Sequence, residues 1–358
     1  MLFERGALAE GLRLAEECKT LYERCGHRAG AARALTSIGV LSLHVRSAAE
    51  AQAALEEARQ RHRALGDVDG QRTALLNLVK VHADRGDADT ALGLLEEGWN
   101  LAPQFESPVA ECAFLNGFYY CNYLRGDLGA ACRDAERVLA IADKLSSQYW
   151  RVGSAVLVTD LFVFIGDWTF ARRLADDALA LLGNCGEQAL RARVTARRAW
   201  LDTLERRPRE ALALLDALGV VESPEDAAVI DRVRAQGWFD LGEVQRALDI
   251  LAPYDKAPTL EAWTQILALR LRAELRLDCV AESDLRRAEA DLQDRCLPAL
   301  EGLWLRREFV CALAATGRVD AVRPQLERYS LERERLAATL GDWPERRKSF
   351  LALFTPLD

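Results

Sequence analysis

The 358 residues contain none of the short signatures that usually mark catalysis. There is no GxxxxGK[ST] phosphate loop, no GxGxxG turn, no HExxH metal pair and no GxSxG nucleophile elbow. Histidine is scarce, with His27, His44, His62 and His82 on separate helices or connections, so no histidine pair presents itself for acid–base work or metal binding. Paired acids such as Glu56-Glu57, Glu96-Glu97 and Asp176-Asp177 are adjacent on helices, point apart, and read as solvated faces. Nine cysteines are an odd number with no CxxC pair, which favours reduced, buried thiols over a disulfide framework and gives zinc no second ligand pair beside Cys25 and His27. Long apolar runs are also missing. The most apolar stretch, Val152 to Ile165, has about fourteen residues, includes Asp160 and is too short to span a bilayer. Met-Leu-Phe-Glu-Arg-Gly at the amino terminus lacks the basic region and apolar core of a secretory signal.

Half of the residues are apolar and 28% are charged, with leucine, alanine, arginine and glutamate abundant, a composition that favours helix. A net charge of -8 gives no overall electrostatic reason to bind nucleic acid. The expectation is a cytoplasmic, non-catalytic protein with no cofactor, no metal, no direct nucleic-acid contact and no membrane contact.

The dominant positive feature is a repeat. Arg85-Gly86-Asp87, Arg125-Gly126-Asp127 and Ile165-Gly166-Asp167 stand forty residues apart, each followed by small or apolar residues at plus five, nine and twelve. A glycine can end one helix in the left-handed conformation, the aspartate caps the next, and the i, i+4, i+7 spacing is a buried helical stripe. The ruler extends to Gly6 and Arg46 on one side and to Arg206, Gly242, Asp278 and Gly317 on the other. The Asp278 unit fits worst, because Arg287 falls on a position that should be buried. A period of this length means stacked helical hairpins, each burying its apolar face against its neighbours.

The expected hairpins pair Ala31–Val45 with Ala48–Leu65, Gln71–Arg85 with Asp87–Leu101, Val109–Arg125 with Asp127–Lys144, and Arg151–Ile165 with Asp167–Leu182. Ala189–Glu205 pairs with a shorter helix opening at Pro208, and Ser223-Pro224-Glu225-Asp226 starts a helix running to Leu241. Leu260–Leu277 with Ala281–Leu292, then Leu297–Thr316 with Arg318–Leu340, complete the series, and Pro344–Leu353 closes the stack. One continuous domain is expected, with an incomplete first hairpin over 1–25, repeats over 28–340 and a capping helix within 341–358. The helix that should precede Gly6 is absent. A longer parent chain, or another molecule covering that end, is therefore expected.

With the turn glycine, the plus-five alanine and Gly39 seven residues before its turn, the chain resembles the tetratricopeptide repeat family. The period near forty, and the ending Leu340-Gly341-Asp342-Trp343-Pro344 with Ser349-Phe350-Leu351, are similar to the long-period MalT-like arrays of bacterial signal-transduction ATPases and transcriptional activators. The resemblance covers nearly the whole chain, with arginine replacing the turn glycine at 46 and 206. It implies an all-α, right-handed superhelical solenoid of about eight to nine antiparallel hairpins, period about 40 and then 36–39, whose first helices line a concave groove.

On that reading the groove carries Asn77 and Lys80, then Asn116, Tyr120 and Tyr123, then Asp160 with Phe164. Arg193, Arg197 and Trp200 follow, then Arg232 and Gln236, Arg272 and Arg276, and finally Trp304 and Arg307. Asn77 with Lys80 partly matches the carboxylate clamp of some family members. The arginines could instead pair with neighbouring glutamates, or form a wall for an acidic segment with Trp200 and Trp304 as flat apolar contacts. The implied function is a protein- or peptide-binding module, the sensor or interaction region of a bacterial signalling or transcriptional regulator. Its partners would be a protein, a peptide, other domains of the parent chain, or a second copy through the uncapped amino-terminal end. The alternative is a sensor of a small ligand or signalling peptide, which a closed aromatic pocket near Tyr120, Tyr123 and Phe164 would favour over an open polar channel. Charge reversal at Arg197 and Arg272 is expected to weaken partner binding while thermal melting stays unchanged; unaltered affinity in both variants would remove the arginine wall.

Overall fold

The computed structural model describes residues 5–101, 105, 107–183, 188–221, 223–254, 267, 282–294 and 298–354. Among them every regular element is helical. The chain divides into two compact units, Met1–Arg125 and Gly126–Asp358.

The first unit consists of α1 (Arg5–Arg24), α2 (Arg28–Val45), α3 (Ala48–Ala64), α4 (Val68–Ala83), α5 (Ala88–Asn100) and α6 (Pro108–Arg125). Each helix packs on the next, and α2, α4 and α6 also pack side by side as an inner ladder. The helix breaks arise as the sequence predicts. Gly86 has φ 76°, its N–H donates to the Ala83 carbonyl at 2.9 Å, and the Asp87 N–H donates to His82 at 3.0 Å. Paired bonds of this kind satisfy carbonyls that the end of a helix leaves open. Arg46, in contrast, has φ -116°, and Ser47 caps α3, so that turn needs no left-handed residue.

Two of the four histidines brace these turns. His82 Nδ1 lies 3.0 Å from the Asp87 carboxylate, and buried His62 lies 2.8 Å from that of Asp67. Burial pushes the Asp67 carboxyl upward, but the Gly70 N–H and His62 outweigh it and hold the group below its ordinary value. The stripes sit where the spacing places them, with Ala51, Leu55 and Ala58, then Ala91, Leu95 and Gly98, all buried. Gly39 lets α2 and α3 cross closely, since a Cβ there would meet Leu55 Cγ at 2.5 Å.

The second unit begins with α7 (Leu128–Ala142), α8 (Gln148–Phe164), α9 (Trp168–Leu182), α10 (Gln188–Leu204), α11 (Pro208–Asp216), α12 (Pro224–Asp240) and α13 (Val244–Leu251). It continues with α14 (Glu282–Asp294), α15 (Ala299–Ala315), α16 (Val319–Thr339) and α17 (Pro344–Leu353). Here α8, α10 and α12 form the inner ladder. The apolar stretch from Val152 is the buried helix α8, whose last turn packs Leu161, Phe162, Val163 and Phe164 inside the stack.

Two features depart from the expected pattern. Of the expected helix Leu260–Leu277 only Leu267 is described, buried in a cluster with Ala235, Ala247 and Leu251, and the rest lies outside the described residues. Its partner α14 is present, but its buried face is Leu285, Ala288 and Leu292, while Arg287 is exposed. A charged side chain cannot sit unpaired in the core, so the helix presents a face that is offset from the repeat ruler.

The carboxyl-terminal helices also do more than close the end of a stack. α16 packs on α7, and Leu336 and Ala299 lie over Gly126. The Leu128 N–H donates to Thr339 Oγ1 at 3.0 Å, and a Cβ at Gly129 would strike the Thr339 carbonyl. α17 brings the Ser349 carbonyl over Gly166, 3.0 Å from where a Cβ would stand. Its Arg346 pairs with Glu136 at 3.0 Å and Asp167 at 3.3 Å and lies 4.3 Å from the Trp343 ring centre. Phe350 and Phe354 are fully buried. The glycines of the repeat therefore serve twice, once for the turn and once for this close approach.

Arg346→Ala removes two charge-assisted hydrogen bonds, so it should weaken the docking of α17 on α7 and the start of α9 by about 2 kcal/mol. Native-state hydrogen exchange should show amides of α17 exchanging at least ~10-fold faster with α10 unchanged. Equal protection of α17 in the variant and the parent would refute the clamp.

Candidate functional site: a tryptophan- and arginine-lined cavity in the second unit

In the first unit the expected groove residues are largely engaged with their own helices. Asn77 donates to the Thr73 carbonyl at 2.8 Å, and Lys80 pairs with Asp84 one turn on at 2.8 Å. The partial carboxylate clamp is thus satisfied locally. Tyr123, expected on the groove surface, is 4% exposed and stacks on Tyr119 at 6.1 Å. Its ring completes the core because α6 carries aromatics on more than one face. Tyr120 is exposed, whereas Asn116 is half-buried with its Oδ1 lacking a hydrogen-bond partner among the described residues.

In the second unit the arginines fall into two groups. Arg197 on α10 donates to Asp160 on α8 at 2.6 Å, and the Nε–H of Arg193 on α10 is shared between the two carboxylate oxygens of Asp226 on α12, at 2.9 and 3.1 Å. These ion pairs tie one inner helix to the next, along a cleft of about 330 Å³. They are the neighbour pairings weighed against a binding wall, although their partners are aspartates on adjacent hairpins and not glutamates. Arg272 and Arg276 lie outside the described residues.

The second group surrounds a cavity of about 270 Å³, where Trp200, Arg232, Gln236, Trp304 and Arg307 converge from α10, α12 and α15. Five residues expected on the groove from repeat register alone thus share one site. Trp200 and Trp304 meet at 6.0 Å between ring centres and enclose Phe164, at 5.0 and 5.7 Å. Phe354 packs on Trp304 from the other side at 5.3 Å. The edge-to-face geometry of this cluster fixes the ring orientations. Arg232 lies 5.2 Å from the Trp200 ring centre, and Arg307 lies 5.7 Å from that of Trp304. Cation–π contact of this kind holds a guanidinium beside a ring at modest desolvation cost. Gln236 is turned onto Asp240, 2.8 Å away.

Register missed other lining residues, notably Trp168, Arg206 and Leu353. Trp168 follows the Asp167 cap and donates to the Val163 carbonyl at 3.1 Å, a placement that the repeat ruler treats as a helix start and nothing more. Arg206 was legible only as a departure from glycine. Beside it lies a buried carboxylate that the sequence did not reveal. Asp202, 1% exposed, accepts from Arg172 at 3.0 Å, Arg198 at 2.6 Å and Arg207 at 2.7 Å. Burial lowers the Arg198 pKa, but Asp202 and Asp176 outweigh it and raise it.

Three of the cysteines, Cys112, Cys121 and Cys132, are buried as expected, but Cys18 and Cys25 are exposed on and just after α1. Burial pushes the Cys121 and Cys132 thiols up to about 12, which makes them poor nucleophiles. Among the described residues no group of three acidic, histidine or cysteine side chains is arranged to hold a metal ion. No described helix is long and apolar enough to cross a membrane.

Asp202→Asn should destabilise the second unit by about 3 kcal/mol, because Arg172, Arg198 and Arg207 would lose the buried carboxylate they share and keep only the more exposed Glu205 and Asp176. Urea denaturation followed by circular dichroism measures this; a change below ~1 kcal/mol would show the network to be dispensable.

No family model and no curated protein matches the sequence. A solved structure described as a Rap protein complexed with Competence and Sporulation Factor is similar to the chain with a TM-score of 0.63 at 12% sequence identity, covering 93% of this chain and 99% of that one. At that identity the likeness concerns the fold. Together with the paired helices and the inner ladders, it shows that the chain has a TPR-like helical repeat fold.

Proposed function

We propose that this protein is a non-catalytic binding module that takes a polypeptide segment, with the inner helices of the second unit as the receiving surface. The observation that carries this reading is the convergence of Trp200, Arg232, Gln236, Trp304 and Arg307 on one cavity. Flat rings flanked by guanidinium groups suit a segment with an apolar residue beside acidic ones. The similar Rap protein, whose structure contains Competence and Sporulation Factor, supports a binding role for this kind of array. A cytoplasmic place in a bacterial signalling or transcriptional regulator, with MalT-like kinship, extends the same reading. A small-ligand sensor is the second reading, favoured by the aromatic lining and limited size of the cavity.

Selection of random twelve-residue peptides against the purified chain tests the first reading. Enrichment of sequences that combine aspartate or glutamate with a large apolar residue is expected. Arg307→Glu should weaken the selected peptides at least ~10-fold, a loss of about 1.4 kcal/mol, with melting unchanged. Absence of enrichment, or equal binding by the variant, would refute it.

A further inference from the structure

Arg206 stands at a turn position that most of the array gives to glycine. Glycines 26, 66, 86, 126, 166, 183, 242 and 317 all have positive φ, and among the described residues Arg206, at φ 61°, is the one side-chain-bearing residue that does. L residues rarely adopt this conformation, and where they persist in it the surroundings must over-determine the turn. They do so here. The Arg206 N–H donates to Thr203 at 3.0 Å, the Arg207 N–H donates to the Asp202 carbonyl at 2.8 Å, and the Arg207 guanidinium reaches the buried Asp202 carboxylate at 2.7 Å. The turn at Arg46 shows that arginine at the equivalent register does not force this geometry, since its φ is -116°.

The strained turn places Arg206 on the wall of the tryptophan-lined cavity. Most arginines of the inner ladder and the Asp202 network already have carboxylate partners, whereas among the described residues Arg206 and Arg307 have none. Arg307 lies 5.7 Å from the Trp304 ring centre, a cation–π contact that uses none of its N–H donors. The described lining holds three arginines, 206, 232 and 307, against two carboxylates, Asp240 and Glu308, which leaves one positive charge. A volume of about 270 Å³ is too small for a folded ligand or several residues, and lies at the lower limit of ordinary ligand pockets.

From this strain, charge balance and lining we infer that the cavity is a subsite for one large apolar side chain flanked by a single carboxylate, with Arg206 as the charge contact. The inference deepens the polypeptide-binding reading and rests on it only for the remainder of the ligand. The carboxylate is either the α-carboxylate of a chain end or the side chain of a neighbouring aspartate or glutamate; the shared chemistry is a planar anion meeting a guanidinium fork.

Ligand-observed NMR titration of the full chain with three probes tests it: N-acetyl-phenylalanine, acetyl-aspartyl-phenylalanine amide, and N-acetyl-phenylalanine amide. At least one acid should bind at least ~10-fold more tightly than the uncharged amide, and which acid binds identifies the source of the carboxylate. Arg206→Gly should abolish that preference and, by relieving the turn, raise the melting temperature by ~2–4 °C. Equal binding of all three probes, binding of none, or unchanged preference in Arg206→Gly would overturn the assignment. A fall in melting temperature would also overturn it, because the arginine would then be retained for the fold. If selected peptides bind the chain but the probes ignore Arg206, this subsite fails and the groove reading stands. If the probes respond to Arg206 and no peptide is selected, the subsite stands and the groove reading fails.

Discussion

The reversal between consecutive helices is the constraint on which the rest of the structure depends. A left-handed residue followed by a helix cap lets the chain turn back within three residues, with both N–H groups of the turn bonded to the helix just ended. Because most of the reversals share this form, the second helices present a similar small-residue stripe to their partners, and within each unit the first helices come to lie side by side. The inner ladders α2–α4–α6 and α8–α10–α12 are consequences of that one local geometry. The histidines at 62 and 82 and the carboxylates at 67 and 87 reinforce it in the first unit.

The cavity follows from the ladder through register. Residues four apart on α10 reach two different neighbours: Arg197 goes back to α8 and Arg193 forward to α12. One more turn brings Trp200 against Trp304 and Phe164, where the pairing chemistry changes from carboxylates to rings. The same helix thus supplies a tie between hairpins and a wall of a cavity. The difference lies in whether an acid or an aromatic stands opposite.

Helix boundaries were legible in the sequence because they rest on local chemistry. The turn glycines, the aspartate caps and Pro208 place nearly every described break within about three residues of where it falls. Which residues share a face was legible for the same reason, and it brought five residues to one cavity without any tertiary knowledge. What the sequence concealed is what depends on distant contacts. Nothing local to Gly129 announces that Thr339 lies against it, and the cap role of Asp167 gives no sign of Arg346. The partners of Arg193 and Arg197 were hidden too, since an aspartate thirty-odd residues away is a neighbour only once the hairpins have stacked. Tyr123 was misplaced because a helix rich in tyrosine has rings enough for both core and surface.

The fastening of α16 and α17 onto the turns at Gly126 and Gly166 changes what kind of mechanical object the second unit is. An open coil yields to a ligand by small increments at every joint, as a spring does. One whose tail is latched to its own flank resists until the latch gives, and then moves all at once. Occupancy of the inner face would on this view be transmitted as a threshold event, with the Arg346 clasp setting how hard the occupant must push.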